Sequence, residues 1–343
     1  MRAIPLFTAL ALATLPLRAE EMRLSFILDE ASDWCEACRV FKERVEERTA
    51  GEITVRIVTN AQLSGNSQAT ELEMVMSGGL EATLESSILL SNVDSAMDAF
   101  TVPWRFLNHD EAEAFADGPE GQALLGALEP HGLIGLAWGV NGFRQLTNSR
   151  GPVVTPEDLR GLRVRVPDSR QFIGIFRALG ADPVTMNFGE LMMNLQTGAV
   201  EAQENPISVI HSRRLFEVQD HLTVWNYTYD PIALCVNAAW FRGLSEERQA
   251  ILREAAREAM AAERAFSRDR EAQLLGELRG LMEVVELTPE QVAAFRSAYA
   301  NASPAVSPAQ VGRVAVMSMA LLILALLVLI ISAAAARRAG GRG

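Results

Sequence analysis

The last third of the chain contains one helical pattern that is longer than a single domain of this size is wide. Ser245 is a favourable N-cap residue, and apolar residues then recur at helical spacing as far as Leu281. At about 1.5 Å per residue, a helix of this length spans roughly 55 Å. A single domain in a chain of this size is narrower than about 55 Å, so the helix must extend beyond one domain. The apolar residues on one face are Ile251, Ala255, Ala259, Phe266, Leu274, Leu278 and Leu281.

The first residues have the pattern of a secretory signal peptide. Met1-Arg2 supplies a positive charge, the run from Ala3 to Leu17 is apolar, and Ala19 is a small residue at a cleavage position. The apolar run is too short for a comfortable membrane span, which takes about 20 residues. We therefore expect residues 1–19 to be a cleaved signal peptide; an uncleaved anchor is the alternative.

A second apolar segment lies near the other end of the chain. No charge interrupts residues 314–336, and Arg337, Arg338 and Arg342 follow them. Such a segment is long enough to cross a hydrocarbon core of about 30 Å, and the arginines favour the cytoplasmic side. We expect a transmembrane helix over residues 314–336 after a linker at residues 303–313. A buried core helix is the alternative, although no face carries a polar stripe.

The bulk charge and the residue types argue against several classes of function. The formal net charge of −12 disfavours nucleic-acid binding. The histidines lack the i, i+4 spacing of a metal-binding helix, and no G-x-S-x-G or phosphate-loop sequence is present. The sequence therefore predicts a protein without cofactor or metal that is not an enzyme.

Two of the three cysteines form a short motif. Cys35 and Cys38 lie in W-C-E-A-C, which looks like a thioredoxin motif, and Asp33 is placed to cap the helix that carries it. A redox function would need a thiolate stabilised at the helix N-terminus. A structural disulfide or two free thiols in an oxidising compartment is the other interpretation. Cys235 lies in an apolar run and is expected in the core.

The segment from Gly161 to Pro206 carries the most specific motif. Arg165 lies in a short strand pattern with Leu162, Val164 and Val166, and Asn205 follows later in the run Q-E-N-P. A helical segment between them ends at Thr197-Gly198. This arrangement resembles the substrate-binding proteins of TRAP transporters, the DctP family. The resemblance extends over roughly residues 22 to 300.

The resemblance implies a two-lobed α/β periplasmic binding protein fold, in which crossing strands and the long helix join the lobes and the ligand lies between them. The residues agree, because a strand at Met22–Leu28, a helix at Trp34–Arg48 and a strand at Ile53–Ile57 form a β-α-β unit. We place lobe I at residues 22–142 and 231–270, and lobe II at residues 143–230 and 271–302. Glu85–Leu90 is expected to be the next strand.

In the DctP family an arginine binds the ligand carboxylate, and the match assigns that role to Arg165. A guanidinium presents a pair of donors that fits the two oxygens of a carboxylate. Arg163, two residues earlier on the same strand, points the same way. The residues alone therefore leave both arginines open, and the resemblance selects Arg165.

Four further residues are expected at the ligand. Arg144 matches a second family arginine that borders the cleft. Asn205 can donate and accept hydrogen bonds, although an Asx turn before the following proline is the alternative. Phe188 is expected to stack over the ligand body, unless it is ordinary core. Glu85 matches a position that reaches ligand hydroxyls in some relatives.

The resemblance also implies a function and its partners. It predicts a periplasmic receptor that captures a small organic acid anion by lobe closure and delivers it to the small and large membrane subunits of a TRAP permease. The C-terminal helix would anchor this receptor to the inner membrane. Two alternatives remain: a thiol–disulfide oxidoreductase that uses Cys35 and Cys38, and a membrane-tethered sensor of the same ligand.

Overall fold

A computed structural model describes residues 19–302 of the chain. The strands are β1 (Glu20–Ser25), β2 (Ile53–Val58), β3 (Ala82–Ser86), β4 (Leu133–Asn148), β5 (Arg163–Val166), β6 (Asp182–Thr185), β7 (Ala202–Pro206), β8 (His221–Val224), β9 (Tyr229–Asn237) and β10 (Glu283–Glu286). The helices are α1 (Asp33–Arg48), α2 (Gln68–Ser77), α3 (Ser87–Leu90), α4 (His109–Asp117), α5 (Pro119–Ala127), α6 (Arg170–Ala178), α7 (Leu191–Gln196), α8 (Ile207–Ser212), α9 (Ala238–Gly243), α10 (Glu246–Leu278) and α11 (Pro289–Ala302).

The strands form two groups of mainly parallel strands that meet at antiparallel strands. In the first group β1 pairs in parallel with β2 and β3, as the β-α-β pattern predicts. In the second group β5 pairs in parallel with β6 and β7. The strand order is β2-β1-β3-β9-β4-β7-β5-β6, and β8 joins β4 to β10. The parallel strands of both groups therefore flank the antiparallel strands at the centre.

The long strand β4 passes from one group of strands to the other. Its first part, as far as Phe143, pairs with β9, and its last part, from Arg144 onward, pairs with β7. The register with β9 shifts between Val140 and Gly142. Gly142 has a φ of 115°, which side chains rarely tolerate, so this irregularity requires a glycine. The irregularity lies directly before Arg144, the residue at which β4 changes partners.

Helix α10 is the long helix that the sequence predicts. The Ser245 side chain accepts a hydrogen bond from the backbone of Arg248, and the helix continues for 33 residues. Its length is about 50 Å at 1.5 Å per residue. It packs against the strand β4 and against the helices α1 and α8, which follow strands of the two different groups. The helix ends before Leu281, because Gly280 has a poor helix propensity and lies in the turn that follows.

The expected strand at Glu85–Leu90 is wrong over most of its length. Strand β3 ends at Ser86, and the residues that follow form the short helix α3. The reason is local, because the Ser86 side chain accepts a hydrogen bond from the backbone of Ile88 and so caps the helix. Glu85 therefore occupies the carboxyl end of a strand, beside the start of a helix.

The predicted signal peptide, the linker and the transmembrane helix at 314–336 lie outside the described residues. Within residues 19–302, no helix combines the length and the apolar character that a membrane span requires.

Candidate functional site

A cleft lies where the two groups of parallel strands face each other. Its volume is about 370 Å³, including the part that is open to solvent. It combines apolar walls with a few polar groups, which is typical of sites for small molecules. The lining residues are Ile27, Leu28, Trp34, Gln68, Ser86, Ile88, Leu89, Asn141, Arg144, Arg165, Pro167, Phe188, Asn205, Val209 and Asp230.

Arg165 reaches the cleft from β5 and has no acidic partner. Its side chain is almost fully buried, with 3% of the residue exposed. Its Nε and Nη2 donate to the carbonyl oxygen of Met186 at 3.2 and 2.8 Å, and it forms no ion pair with any carboxylate in residues 19–302. Burial lowers the pKa of Arg165 to about 10, and this guanidinium therefore still carries its charge at neutral pH. A buried cation that forms no ion pair within the described residues is an unfavourable arrangement that an anion would relieve.

Arg144 is equally buried but is paired on all sides. Its Nη1 donates to Asp230 Oδ2 at 2.9 Å, and its Nη2 donates to Glu204 Oε1 at 2.9 Å and to Asn205 Oδ1 at 3.1 Å. Its Nε also donates to Glu204, which accepts a further bond from the Tyr227 hydroxyl. Burial alone would lower the pKa of Arg144, but the charge and hydrogen bonds of Glu204 outweigh it and raise the pKa further. Its charge is therefore already neutralised by the protein.

The structure distinguishes Arg165 from Arg163, which the residues alone left open. Arg163 is exposed at the start of β5, where its Nη2 donates to the carbonyl oxygen of Gly198 at 2.9 Å and lies 3.7 Å from Glu201. Strand β5 enters the interior within two residues of this position, as the change from exposed to buried residues along β5 indicates. Only Arg165 lines the cleft.

Asn205 and Phe188 lie beside the two cleft arginines. Asn205 is buried in β7, where its side-chain carbonyl accepts from Arg144 and its amide donates to Gln203. An amide has two N–H donors, so Asn205 keeps one for another partner. The Phe188 ring lies 5.7 Å from the guanidinium carbon of Arg165 and 5.4 Å from that of Arg213. The ring is therefore in cation–π range of two arginines.

Glu85 is fully buried and is not itself one of the lining side chains. Its Oε1 accepts from the amide of Gln68 at 2.8 Å, and Gln68 lines the cleft. Its Oε2 has no hydrogen-bond partner within the described residues. Burial raises the pKa of Glu85 well above its usual value, and the nearby Glu71 raises it further. The structure therefore connects Glu85 to the cleft through Gln68.

The sequence reasoning missed the acidic residues beneath the cleft. Asp230 accepts from Ser86 at 2.7 Å, from Asn141 at 2.7 Å and from Arg144, so its oxygens are well occupied. Glu204 lies directly before Asn205 in the run Q-E-N-P. One signal was available for Asp230, which directly precedes the apolar run at residues 231–236, because buried charges are normally paired.

The two cysteines of W-C-E-A-C lie in α1 and do not form a disulfide. Ser32, rather than the predicted Asp33, caps this helix, because its side chain accepts from the backbone of Cys35. Burial raises the pKa of Cys35 and raises that of Cys38 well above its usual value. A reactive thiolate is therefore disfavoured at both positions, and the geometry gives no support to the oxidoreductase alternative. Cys235 is buried in the core, as predicted.

A larger groove lies elsewhere, between α5, β4 and α10. Its volume is about 1280 Å³, including the part open to solvent, and Arg253, Arg257 and Arg264 contribute to its walls. Arg264 is already paired with Asp117 at 2.7 Å. None of the predicted site residues lines this groove. Within residues 19–302, no cluster of His, Cys, Asp and Glu side chains is arranged to hold a metal ion.

Comparison with known proteins agrees with this geometry. The family model of the bacterial extracellular solute-binding protein, family 7 (DctP), matches residues 24–306. A similar protein is the 2,3-diketo-L-gulonate-binding periplasmic protein YiaO of Escherichia coli K12, which is 35% identical over 249 residues, or 73% of this chain and 75% of the relative.

Solved structures of the same type superpose on most of the chain. The sugar acid binding protein DctPAm from Advenella mimigardefordensis, in complex with galactonate, has a TM-score of 0.80 at 31% identity and covers 82% of this chain and 91% of its own. A TRAP periplasmic solute-binding protein from Shewanella oneidensis with bound succinate has a TM-score of 0.79 at 27% identity, over 83% and 93% of the two chains. These similarities confirm the predicted two-lobed α/β fold.

A buried arginine at a cleft between two groups of strands, a long helix that contacts both, and a family match over most of the sequence all agree. The chain belongs to the DctP family of bacterial extracellular solute-binding proteins, and it is a solute-binding receptor of the TRAP type.

Proposed function

We propose that this receptor binds a carboxylate-bearing small molecule in the cleft and that Arg165 is the residue that holds the carboxylate. One observation carries the proposal: Arg165 is a buried guanidinium that forms no ion pair within residues 19–302. A carboxylate can accept two parallel N–H donors from such a group. The energy of an uncompensated buried charge then becomes binding energy for an anion.

The neighbouring residues receive different roles. We propose that Phe188 covers the ligand body and that Asn205 donates its remaining N–H to the ligand. Arg144, which the family resemblance predicts at the ligand, acts instead as a fixed part of the wall, because Glu204 and Asp230 occupy it. Glu85 acts on the ligand through Gln68, whose orientation it fixes.

The ligands of related proteins support an organic acid. The three relatives described above bind 2,3-diketo-L-gulonate, galactonate and succinate. All three ligands carry a carboxylate, which agrees with a role for Arg165. They include both sugar acids and a dicarboxylate, so the comparisons alone leave the class of acid open.

We propose that the lobes are residues 22–142 with 231–270 and residues 143–230 with 271–302, and that they close over the ligand. Contacts across this proposed boundary support closure: Asn92 donates to the backbone carbonyl of Asp168 at 2.7 Å, and Thr101 donates to Gln171 at 2.8 Å. Hinge closure around a ligand is a common mode of capture. In the periplasm, the loaded receptor then delivers its ligand to the small and large membrane subunits of a TRAP permease.

We also propose that residues 314–336 tether the receptor to the inner membrane. The support is the uncharged run itself and the arginines that follow it. Tethering would raise the local concentration of receptor at the permease. A version of the chain that ends at residue 310 is expected to leave the membrane fraction and to keep its ligand affinity. Continued membrane association after signal cleavage would contradict the proposed anchor.

Substitution of Arg165 by lysine tests the function. Lysine keeps the charge but loses the planar fork. We expect Arg165→Lys to weaken binding at least tenfold in calorimetry, which corresponds to about 1.4 kcal/mol. The matched control is Arg163→Lys on the same strand, which is exposed and is expected to change nothing. Equal affinity of Arg165→Lys and the unsubstituted protein would refute the assigned role.

A further inference from the structure

Among residues 19–302, the cleft contains one cation that forms no ion pair, and this number limits the number of carboxylates that a ligand can carry. Two arginines line the cleft, but Arg144 is enclosed by the carboxylates of Glu204 and Asp230, both of which are fully buried. Arg165 alone remains without an acidic partner in the described chain. Taken together, these four groups carry no net charge. A monocarboxylate brings the total to −1, whereas a dicarboxylate brings it to −2.

Gln68, Ser86 and Asn141 form another part of the cleft wall. Gln68 donates one N–H to Glu85, and its side-chain carbonyl accepts no hydrogen bond from residues 19–302. The Ser86 hydroxyl and one of the two N–H donors of Asn141 are directed to Asp230 at 2.7 Å, and the Asn141 side-chain carbonyl accepts from Trp34. Within the described residues, the groups on this wall that remain toward a ligand are therefore the Gln68 carbonyl and neutral amide N–H donors, and none of them is a cation. Neutral donors and acceptors can bind hydroxyl groups, but they do not balance the charge of a second carboxylate.

Two further buried carboxyl groups lie behind this wall without any cation to balance them. Glu71 and Glu85 are fully buried, and neither forms an ion pair within residues 19–302. The two are close enough for Glu71 to raise the pKa of Glu85. A second ligand carboxylate would thus enter a region that already disfavours negative charge.

We propose that the cleft selects monocarboxylates that carry hydroxyl groups and discriminates against dicarboxylates of the same length. This inference rests on the proposed function, because it assumes that Arg165 holds the single carboxylate. Gln68 is then a specificity-determining residue, whose side-chain carbonyl accepts a hydrogen bond from a ligand hydroxyl. The ligand is a small aldonate-like acid.

Four-carbon acids test separately the preference for a single carboxylate and the preference for hydroxyl groups. D-Erythronate and meso-tartrate differ only at one end, which is an alcohol in the first and a carboxylate in the second. Butyrate has one carboxylate and no hydroxyl, and succinate has two carboxylates and no hydroxyl. We expect calorimetry to give D-erythronate an affinity at least tenfold higher than that of any of the other three. The six-carbon pair galactonate and galactarate, with hexanoate and adipate, repeats the test for a longer ligand.

Two variants locate the selectivity. Gln68→Leu is expected to lower the affinity for the hydroxy monocarboxylate at least fivefold. It is expected to leave the affinity for the monocarboxylate without hydroxyl groups unchanged. Its control is Gln273→Leu, an exposed glutamine of α10 that does not line the cleft. Glu204→Gln removes one of the two carboxylates on Arg144. It is expected to reduce the preference for the monocarboxylate over the dicarboxylate.

The outcomes distinguish this inference from the function on which it rests. If a dicarboxylate binds as tightly as the hydroxy monocarboxylate at both chain lengths, and Arg165→Ala abolishes that binding, the proposed selectivity is wrong and the proposed function stands. If Arg165→Ala leaves the binding of the preferred acid intact, the proposed function fails and this inference fails with it. If none of the eight acids binds, this inference is wrong. A preference for the hydroxy monocarboxylate that depends on both Arg165 and Gln68 supports both.

Discussion

Two arginines of the cleft share nearly every property except their partners. Arg144 and Arg165 are each 3% exposed, and the guanidinium carbon of each lies 5.7 Å from the centre of a phenylalanine ring. Arg144 nevertheless contacts two carboxylates, whereas Arg165 contacts the backbone carbonyl of Met186. Burial therefore does not identify the residue that binds an anion. The hydrogen-bond partners of a buried cation decide whether it stabilises the fold or waits for a ligand.

The same contrast holds for the buried acids. Glu204 lies against Arg144 and the Tyr227 hydroxyl, so its charge is compensated. Glu71 accepts from the Ser25 hydroxyl, and its second oxygen has no partner in the described residues. Burial raises the pKa of Glu71 to about 7. Compensated groups should thus support the fold, and uncompensated groups should weaken it.

The largest effect is expected from removal of the compensated arginine. Arg144→Leu leaves Glu204 and Asp230 buried without a cation, which should lower the free energy of unfolding by about 3–5 kcal/mol. Arg165→Leu removes a buried charge that has no acidic partner in residues 19–302, so the ligand-free protein should keep its stability or become more stable. Urea denaturation without ligand measures both values. Equal losses in the two variants would show that the arginines are not different in kind.

The next effect concerns the uncompensated acid Glu71. Its pKa rises from 4.5 to about 7 on folding, so its contribution to stability is complete below pH 4.5 and is lost as the pH rises through 7. A shift of this size corresponds to about 3 kcal/mol. We expect Glu71→Gln to unfold at the same urea concentration as the unsubstituted protein at pH 4 and at a higher one at pH 8.

The control for Glu71 is a neighbouring residue of the same helix. Glu73→Gln lies on the exposed side of α2 and should show no such dependence. Stability curves of Glu71→Gln and of the unsubstituted protein that stay parallel from pH 4 to pH 8 would contradict the account of Glu71.

The smallest effect is expected from an ion pair at the cleft edge. Arg213 Nη1 lies 3.7 Å from Asp29 Oδ2, and the two side chains are 26% and 28% exposed. Partly exposed pairs contribute about 0–1 kcal/mol, so Arg213→Gln should weaken ligand binding by no more than about fivefold. Calorimetry at low and high salt would measure it. A loss as large as that of Arg165→Lys would mean that Arg213, rather than Arg165, supplies most of the charge.

Much of the fold could be predicted from the sequence because its signals are local. The capped helix at Ser245 and the β-α-β unit at the start depend on spacing and on neighbouring residues, and both are present. The resemblance of the segment around Arg165 also identified the family correctly. The strand expected at Glu85–Leu90 failed because one serine side chain starts a helix there.

The division of roles between the two arginines could not be predicted in the same way. The partners of Arg144 lie 60 and 86 residues away along the chain, so no local pattern indicates the pairing. Gln68 was missed for the same reason, since Glu85, which orients it, belongs to a different element. Sequence patterns place a charged residue near a cleft, but the folded chain determines whether its charge is free.

A crystal structure of the ligand-bound protein tests the central claim most directly. It should show both oxygens of the ligand carboxylate within hydrogen-bond distance of the Arg165 guanidinium, with Arg144 still paired to Glu204 and Asp230. A ligand carboxylate bound to Arg144, with Arg165 still donating only to the Met186 carbonyl, would contradict the account.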